Sequence, residues 1–189
     1  MFIQTETTPN PNVLKFLPGR EVMGEGTREF RAEDAAISPL AEALFAIEGV
    51  ERVFFGPDFV TVTRADDDLD WRQLKAPILA AIMEHFTSGA PLLAQGDEAA
   101  SHDADVYEGD TTQVVAEIKD LLDTRISPAV ARDGGDILFN RFDPATGVVF
   151  LHMRGACSGC PSSSATLRSG VENMLKHYVP EVTRVEAAL

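Results

Sequence analysis

Along residues 60–63, Val60 and Val62 alternate with Thr61 and Thr63, the two-residue period of a strand with one buried and one wet face. The run VERVFF (50–55) precedes it across Gly56-Pro57-Asp58, so the pair predicts a β-hairpin. Upstream, FIQTET (2–7) and NVLKFL (12–17) are short β-prone runs separated by Pro9-Asn10-Pro11-Asn12, a turn signal. Two segments instead repeat their apolar positions every three or four residues. In SPLAEALFAIEG (38–49), Leu40, Leu44 and Ile47 share a helical face, with Gly49 as C-cap. In DWRQLKAPILAAIMEHF (70–86), Trp71, Leu74, Ile78, Ile82 and His85 or Phe86 do so, with Asp70 as N-cap. Pro77 lies inside that pattern, and is expected to kink the helix or to mark its true start. The predicted order for residues 1–93 is ββαββα.

Periodicity then lapses. Residues 94–112, AQGDEAASHDADVYEGDTT, are small, polar and acidic, with almost nothing to bury. Such a segment does not offset its own ordering entropy, which predicts a flexible acidic linker. Beyond it, Val115, Ile118, Leu122 and Ile126 make one apolar stripe that Pro128 is expected to break, with a short helical piece running to Asp133. Gly134-Gly135 supplies a sharp exit into the strand DILFNRF (136–142), and DPATG turns the chain into VVFLHM (148–153). A helix from about Pro161 to Tyr178 buries Leu167, Val171, Met174 and Tyr178, and EVTRVEA is a last strand. Residues 113–189 thus read αββαβ. The fold class expected is α+β, two small α/β sandwich domains on either side of the linker, each able to hold one core.

Composition narrows the function classes. The 189 residues are 44% hydrophobic and 24% charged, within the range of ordinary globular chains. The longest apolar run, Ala76 to Met83, is far shorter than the roughly 20 residues that span a bilayer, so no membrane role is expected. The N-terminus, MFIQTETTPNPN, lacks the basic residues of a leader. That favours a bacterial cytoplasm, although a processed mitochondrial matrix protein would look the same. A net charge of −14, with six acids and no Lys or Arg in residues 96–112, repels phosphate backbones and argues against nucleic acid as a partner.

The chemistry is concentrated in MRGACSGCPSSSATL (153–167), which holds both cysteines of the chain, Cys157 and Cys160. Two thiols make no disulfide framework, and Cys-x-x-Cys between a strand and a helix points to metal or redox work. Pro161 suits the first turn of a helix. The thiols then sit near the positive end of its dipole, which favours thiolates. Ser162, Ser163 and Ser164 are candidate caps or donors to sulfur. Gly155 and Gly159 let the backbone bend tightly. Three chemistries compete. Dithiol exchange uses this placement, but on a βαβαββα fold that αββαβ does not match. Zinc needs two further ligands, and the candidates, His152 and His177, read as ordinary strand and surface histidines. An iron–sulfur cluster takes four thiolates, which two chains related by a two-fold axis would supply.

The segment LHMRGACSGCPSSSATLRSGVENML, with ARDGGDI upstream, resembles the C-terminal domain of NifU and the Nfu-type iron–sulfur cluster carriers. TETTPNPNVLKFLPG and LKAPILAAIMEHF resemble the N-terminal domain of the two-domain members. The resemblance covers nearly the whole chain except the linker. It implies that Cys157 and Cys160 are the metal ligands and bind a cluster shared between two subunits, [4Fe–4S] with [2Fe–2S] as the alternative. It also matches Gly134, Gly135 and Asp136 to a signature, read here as helix cap and strand start. The scaffold domain of full-length NifU, with its own cysteines, has no counterpart in these residues. The implied role is therefore a non-enzymatic late carrier, fed by upstream assembly proteins and passing clusters to apo-proteins such as lipoyl synthase or aconitase-like enzymes. It is expected to be a monomer when empty and a homodimer when loaded. The rival from another class is a thiol–disulfide oxidoreductase using the same pair. The N-terminal domain, which has no cysteine, is expected to recognise partners or set the geometry of transfer.

Overall fold

The computed structural model describes residues 2–94, 107–159 and 161–188, without the side chains of 161–164. The chain divides between residues 100 and 101 into two compact units.

The first unit is an antiparallel sheet of five strands, β1 (Gln4–Thr7), β2 (Val13–Leu17), β3 (Arg28–Phe30), β4 (Val50–Phe55) and β5 (Val60–Arg64), in the order β1-β2-β5-β4-β3. Two helices pack on one face, α1 (Pro39–Phe45) and α2 (Trp71–Ser88). Leu40, Leu44, Leu74, Ile78 and Ile82 from the helices meet Leu14, Phe16, Phe30, Val53, Phe55, Val60 and Val62 from the sheet. Burying a side chain of this kind contributes roughly 1.5–3 kcal/mol. Local chemistry sets the helix starts. The Ser38 hydroxyl accepts from the Ala41 N–H at 3.2 Å ahead of Pro39, and Asp70 Oδ1 accepts from the Arg72 N–H at 2.9 Å.

Four expectations change in this unit. Strand β5 is buried on both faces, with Thr61 only 1% exposed. It is the central strand, and Thr61 stands in register between Lys15 of β2 and Phe54 of β4. The Lys15 ammonium lies 4.5 Å from the centre of the Phe59 ring, which also packs on Phe54. Pro77 does not start α2, which runs from Trp71 to Ser88 with the proline inside. The C-cap of α1 is Ala46; Gly49, at φ 97°, instead turns the chain into β4. Finally, β3 and a 3₁₀ turn over Ala32–Ile37 had no apolar period to reveal them, yet Phe30 is fully buried with its ring 4.8 Å from Phe55.

The second unit packs helices α3 (Asp110–Leu121), α4 (Ser127–Arg132) and α5 (Pro161–Tyr178) on a three-stranded sheet, β6 (Gly135–Asp143), β7 (Val148–Gly155) and β8 (Arg184–Ala187), in the order β6-β7-β8. Strands β6 and β7 form an antiparallel hairpin. Strand β8 lies parallel to β7, and α5 makes the crossover that such pairing needs. Val115, Ile118, Leu122 and Ile126 are all buried, as their spacing predicts. Pro128 does not end the helical run. A π turn over Leu122–Ile126 joins α3 to α4, and the proline falls in the first turn of α4, where its missing N–H costs nothing. On α5 the buried positions are Val171 and Leu175, with Leu167 and Met174 partly buried, whereas Tyr178 is 46% exposed.

Of the expected linker, residues 95–106 lie outside the described residues. Its other end belongs to the fold: Asp110–Thr112 form the first turn of α3, and the Tyr107 hydroxyl accepts from the Phe142 N–H at 2.7 Å. Among the described residues, no helix is long and apolar enough to cross a membrane.

Candidate functional site

The β7–α5 connection carries the motif. Strand β7 ends at Gly155, paired with Gly135 at the start of β6, and the next pair along is Arg154 with Asp136. Gly134 (φ 80°), Gly155 (φ 61°) and Gly159 (φ 86°) all have positive φ, where a side chain is strained. They let the α4–β6 corner and the cysteine loop fold against each other. The Ala156 N–H donates to the Gly134 carbonyl at 3.1 Å, the Cys157 N–H to the Arg154 carbonyl at 3.3 Å and the Ser158 N–H to the Gly155 carbonyl at 3.1 Å. The Ser158 hydroxyl adds a bond to that carbonyl at 2.9 Å.

Cys157 is not the exposed thiolate that its place before a helix suggests. It is 5% exposed and belongs to the hydrophobic core of the second unit, together with Val171, Leu175 and Ile137. Burial pushes its thiol up to about 12, and the carboxylates of Asp133 and Asp136 add to the effect; the Asp136 backbone N–H, which donates to the sulfur, offsets part of it. Desolvation outweighs the helix dipole here, because the dipole is worth only about 0.3–1 kcal/mol and α5 begins at Pro161, four residues further on. The two aspartates also mean that the loop's surroundings are not charge-free. Asp123, on the π turn, is raised by burial and by Asp136 and Asp120, with Lys119 opposing them, so Asp136 acts on a second carboxylate as well as on the thiol.

Cys160 lies outside the described residues, and the side chains of Ser162, Ser163 and Ser164 are likewise not described. The two histidines go elsewhere. His152 Nε2 is 2.8 Å from Asn140 Nδ2 on the neighbouring strand, and His177 packs edge-on against Tyr178 near the end of α5. Among the described residues, no group of three or more His, Cys, Asp or Glu could hold a metal ion. Cys157 itself is a soft sulfur ligand, and in this buried position the Asp136 backbone N–H donates to it.

Gly135 has a part that its reading as a strand start missed. A Cβ built on it would overlap the Cys157 sulfur and lie 2.8 Å from the Arg154 carbonyl oxygen and 3.0 Å from the Cys157 nitrogen. The bare backbone of β6 is thus the wall on which the thiol rests. The doubled glycine was visible in sequence; its contact with a cysteine 22 positions away was not.

Residues 3–89 match the family described as Scaffold protein Nfu/NifU N terminal, and residues 118–186 match the NifU-like domain. The chain is 55% identical over 187 residues to NifU-like protein 4, mitochondrial, of Arabidopsis thaliana, covering 98% of this chain and 65% of that protein. It is 52% identical over 190 residues to the NFU1 iron-sulfur cluster scaffold homolog, mitochondrial, of Homo sapiens, covering 100% of this chain and 72% of that protein. It therefore spans slightly less than two thirds of the Arabidopsis relative and rather more of the human one. The solution NMR structure of a NifU-like protein from Saccharomyces cerevisiae aligns with a TM-score of 0.46 at 28% identity, covering 50% of this chain and 86% of that one. The chain belongs to the two-domain Nfu family of NifU-like proteins.

Proposed function

We propose that this family member is a non-enzymatic carrier that holds an iron–sulfur cluster, as cargo, between Cys157 and Cys160 of two copies and hands it to apo-proteins. One observation carries the reading. The chain has two cysteines in all, and both fall at the β7–α5 connection of its NifU-like domain. Two thiolates per chain leave a four-ligand cluster half coordinated, so a second copy completes it, and [4Fe–4S] is the cargo we assign. Partners are upstream donors and apo-protein recipients, whose thiols would replace these stepwise. The human relative's name as an iron–sulfur cluster scaffold homolog supports the reading, and the mitochondrial designation of both relatives favours a matrix setting over the cytoplasmic one expected from composition. The first unit has no thiol, and we assign it partner recognition.

The buried thiol weighs against the oxidoreductase alternative. An exchange nucleophile needs a lowered pKa and an open face, and Cys157, raised and covered, does not meet that need in this position. The test is analytical ultracentrifugation of the full chain as empty protein, after anaerobic reconstitution with iron and sulfide, and as Cys157→Ala or Cys160→Ala, with iron and sulfide assayed in each. The expected result is a brown dimer from the parent only. A loaded monomer, or a variant that still dimerises with iron, would refute the shared site. A colourless chain that reduces insulin disulfides would establish the alternative.

A further inference from the structure

Nothing in a carrier's task requires one of its ligands to be stored in the hydrophobic core, yet that is where Cys157 lies. Its side chain is 5% exposed among Ile137, Val171 and Leu175. On one side it rests against Gly135, where even a methyl group would overlap the sulfur. The Asp136 N–H donates to it, and the bonds Ala156 N–H to Gly134 and Ser158 N–H to Gly155 tie the loop down over it. A cluster shared with a second chain has to touch sulfurs that face outward from both copies. A sulfur in this position faces inward.

We propose that the loop 155–159 is a two-position device. In the closed position seen here Cys157 occupies a seat on the Gly135 backbone, hidden from solvent. In the open position the loop has turned out and Cys157 faces the cargo. Gly155 and Gly159, at φ 61° and 86°, bracket the segment and are the residues whose backbone absorbs the change. Gly135 is the positioning residue: by lacking a side chain it makes the closed seat available. Opening makes and breaks no covalent bond and involves no oxidant or reductant; it only turns the sulfur outward, towards the iron. The empty carrier thereby keeps half of its ligand set away from oxidants and stray metal. Loading then waits on loop opening as well as on encounter. This rests on the carrier reading, and the closing experiment separates the two.

The seat is read by alkylation of the full chain as Cys160→Ser, in which Cys157 is the sole thiol. With iodoacetamide and mass spectrometry, the native protein should react at least about 100-fold more slowly than the same protein in urea. Adding Gly135→Ala should speed the native reaction about tenfold or more while circular dichroism stays native. Gly159→Ala, at an exposed position where φ is 86° in the closed loop, strains that loop and should speed the reaction about tenfold too; it provides a second variant if the Gly135 one does not fold. The same two glycine variants with both cysteines intact should then take up iron and sulfide faster than the parent. Native alkylation within about threefold of the urea rate would show that the seat is not occupied in solution. Faster alkylation with slower cluster uptake would show that the seat shapes the ligand rather than hides it. Either result overturns the device. A parent that takes up no cluster at all overturns the carrier reading, while the alkylation rates still report on the seat.

Discussion

Raising the pH should destabilise the second unit through one atom, the Cys157 sulfur. Its thiol moves from the ordinary 9.0 to about 12 in the fold, first because it is buried and then because Asp133 and Asp136 face it. The folded state therefore holds this proton more tightly than the unfolded chain does. The stabilisation is complete below pH 9.0 and is lost as pH rises through the interval up to about 12. At about 1.36 kcal/mol per pH unit the whole interval is worth about 4 kcal/mol, of which about 2 kcal/mol is gone by about pH 10.5. The assay is urea unfolding of the full chain followed by circular dichroism, under reductant, at about pH 8 and pH 10.5. Other groups titrate in this range, so the informative quantity is the pH effect in the parent minus that in Cys157→Ala. That variant loses a single buried heavy atom, a fixed cost of about 1 kcal/mol at either pH. The parent should lose about 2 kcal/mol more than the variant between the two conditions. Equal losses would mean that the sulfur is already in water at pH 8, and would refute both the buried placement and the raised thiol.

Two further outcomes test the architecture. Limited proteolysis should cut first within residues 95–106, where small and acidic side chains leave nothing to bury, and should release a piece beginning near Tyr107 that still takes up iron and sulfide; cleavage elsewhere first, or one cooperative melt for the full chain, would count against independent units. Gly147→Ala should cost about 2–3 kcal/mol, because Gly147 has φ 70° and a Cβ there would overlap the Glu181 carbonyl oxygen and lie 2.8 Å from Thr183 Cγ2. In a unit of this size that is a drop of roughly 10 °C or more in melting temperature, and an unchanged melt would contradict the close approach of the β6–β7 turn to the segment before β8.

What could be read along the chain was whatever neighbours in sequence decide. Apolar spacing gave the helical stripes of Val115, Ile118, Leu122 and Ile126 and of Leu74, Ile78 and Ile82, since residues three and four apart share a helix face whatever surrounds them. Asp70 caps α2 through a bond reaching two residues, and Gly134 turns at the end of α4 for the same local reason; the Ser38 cap of α1 is as local, but was not singled out. The cysteine pair between β7 and α5 was legible as a motif. Tertiary structure decided what depends on partners far along the chain. Alternation placed Thr61 and Val62 on opposite faces of β5, but only pairing with β2 and β4 put both faces out of water. Strand β3 is three residues with one buried aromatic, and it exists because β4 is there to pair with it. Pro128, a helix breaker by itself, is absorbed because the preceding π turn shifts the register ahead of it. Cys157 is the sharpest case. Its local surroundings, glycines, serines and a helix start, favour an open thiolate, and it is the approach of Gly135 from the neighbouring strand, with membership of the core that Val171 and Leu175 also belong to, that takes the sulfur out of water. Burial is a property of what packs against a residue, and a chain read one neighbour at a time does not contain it.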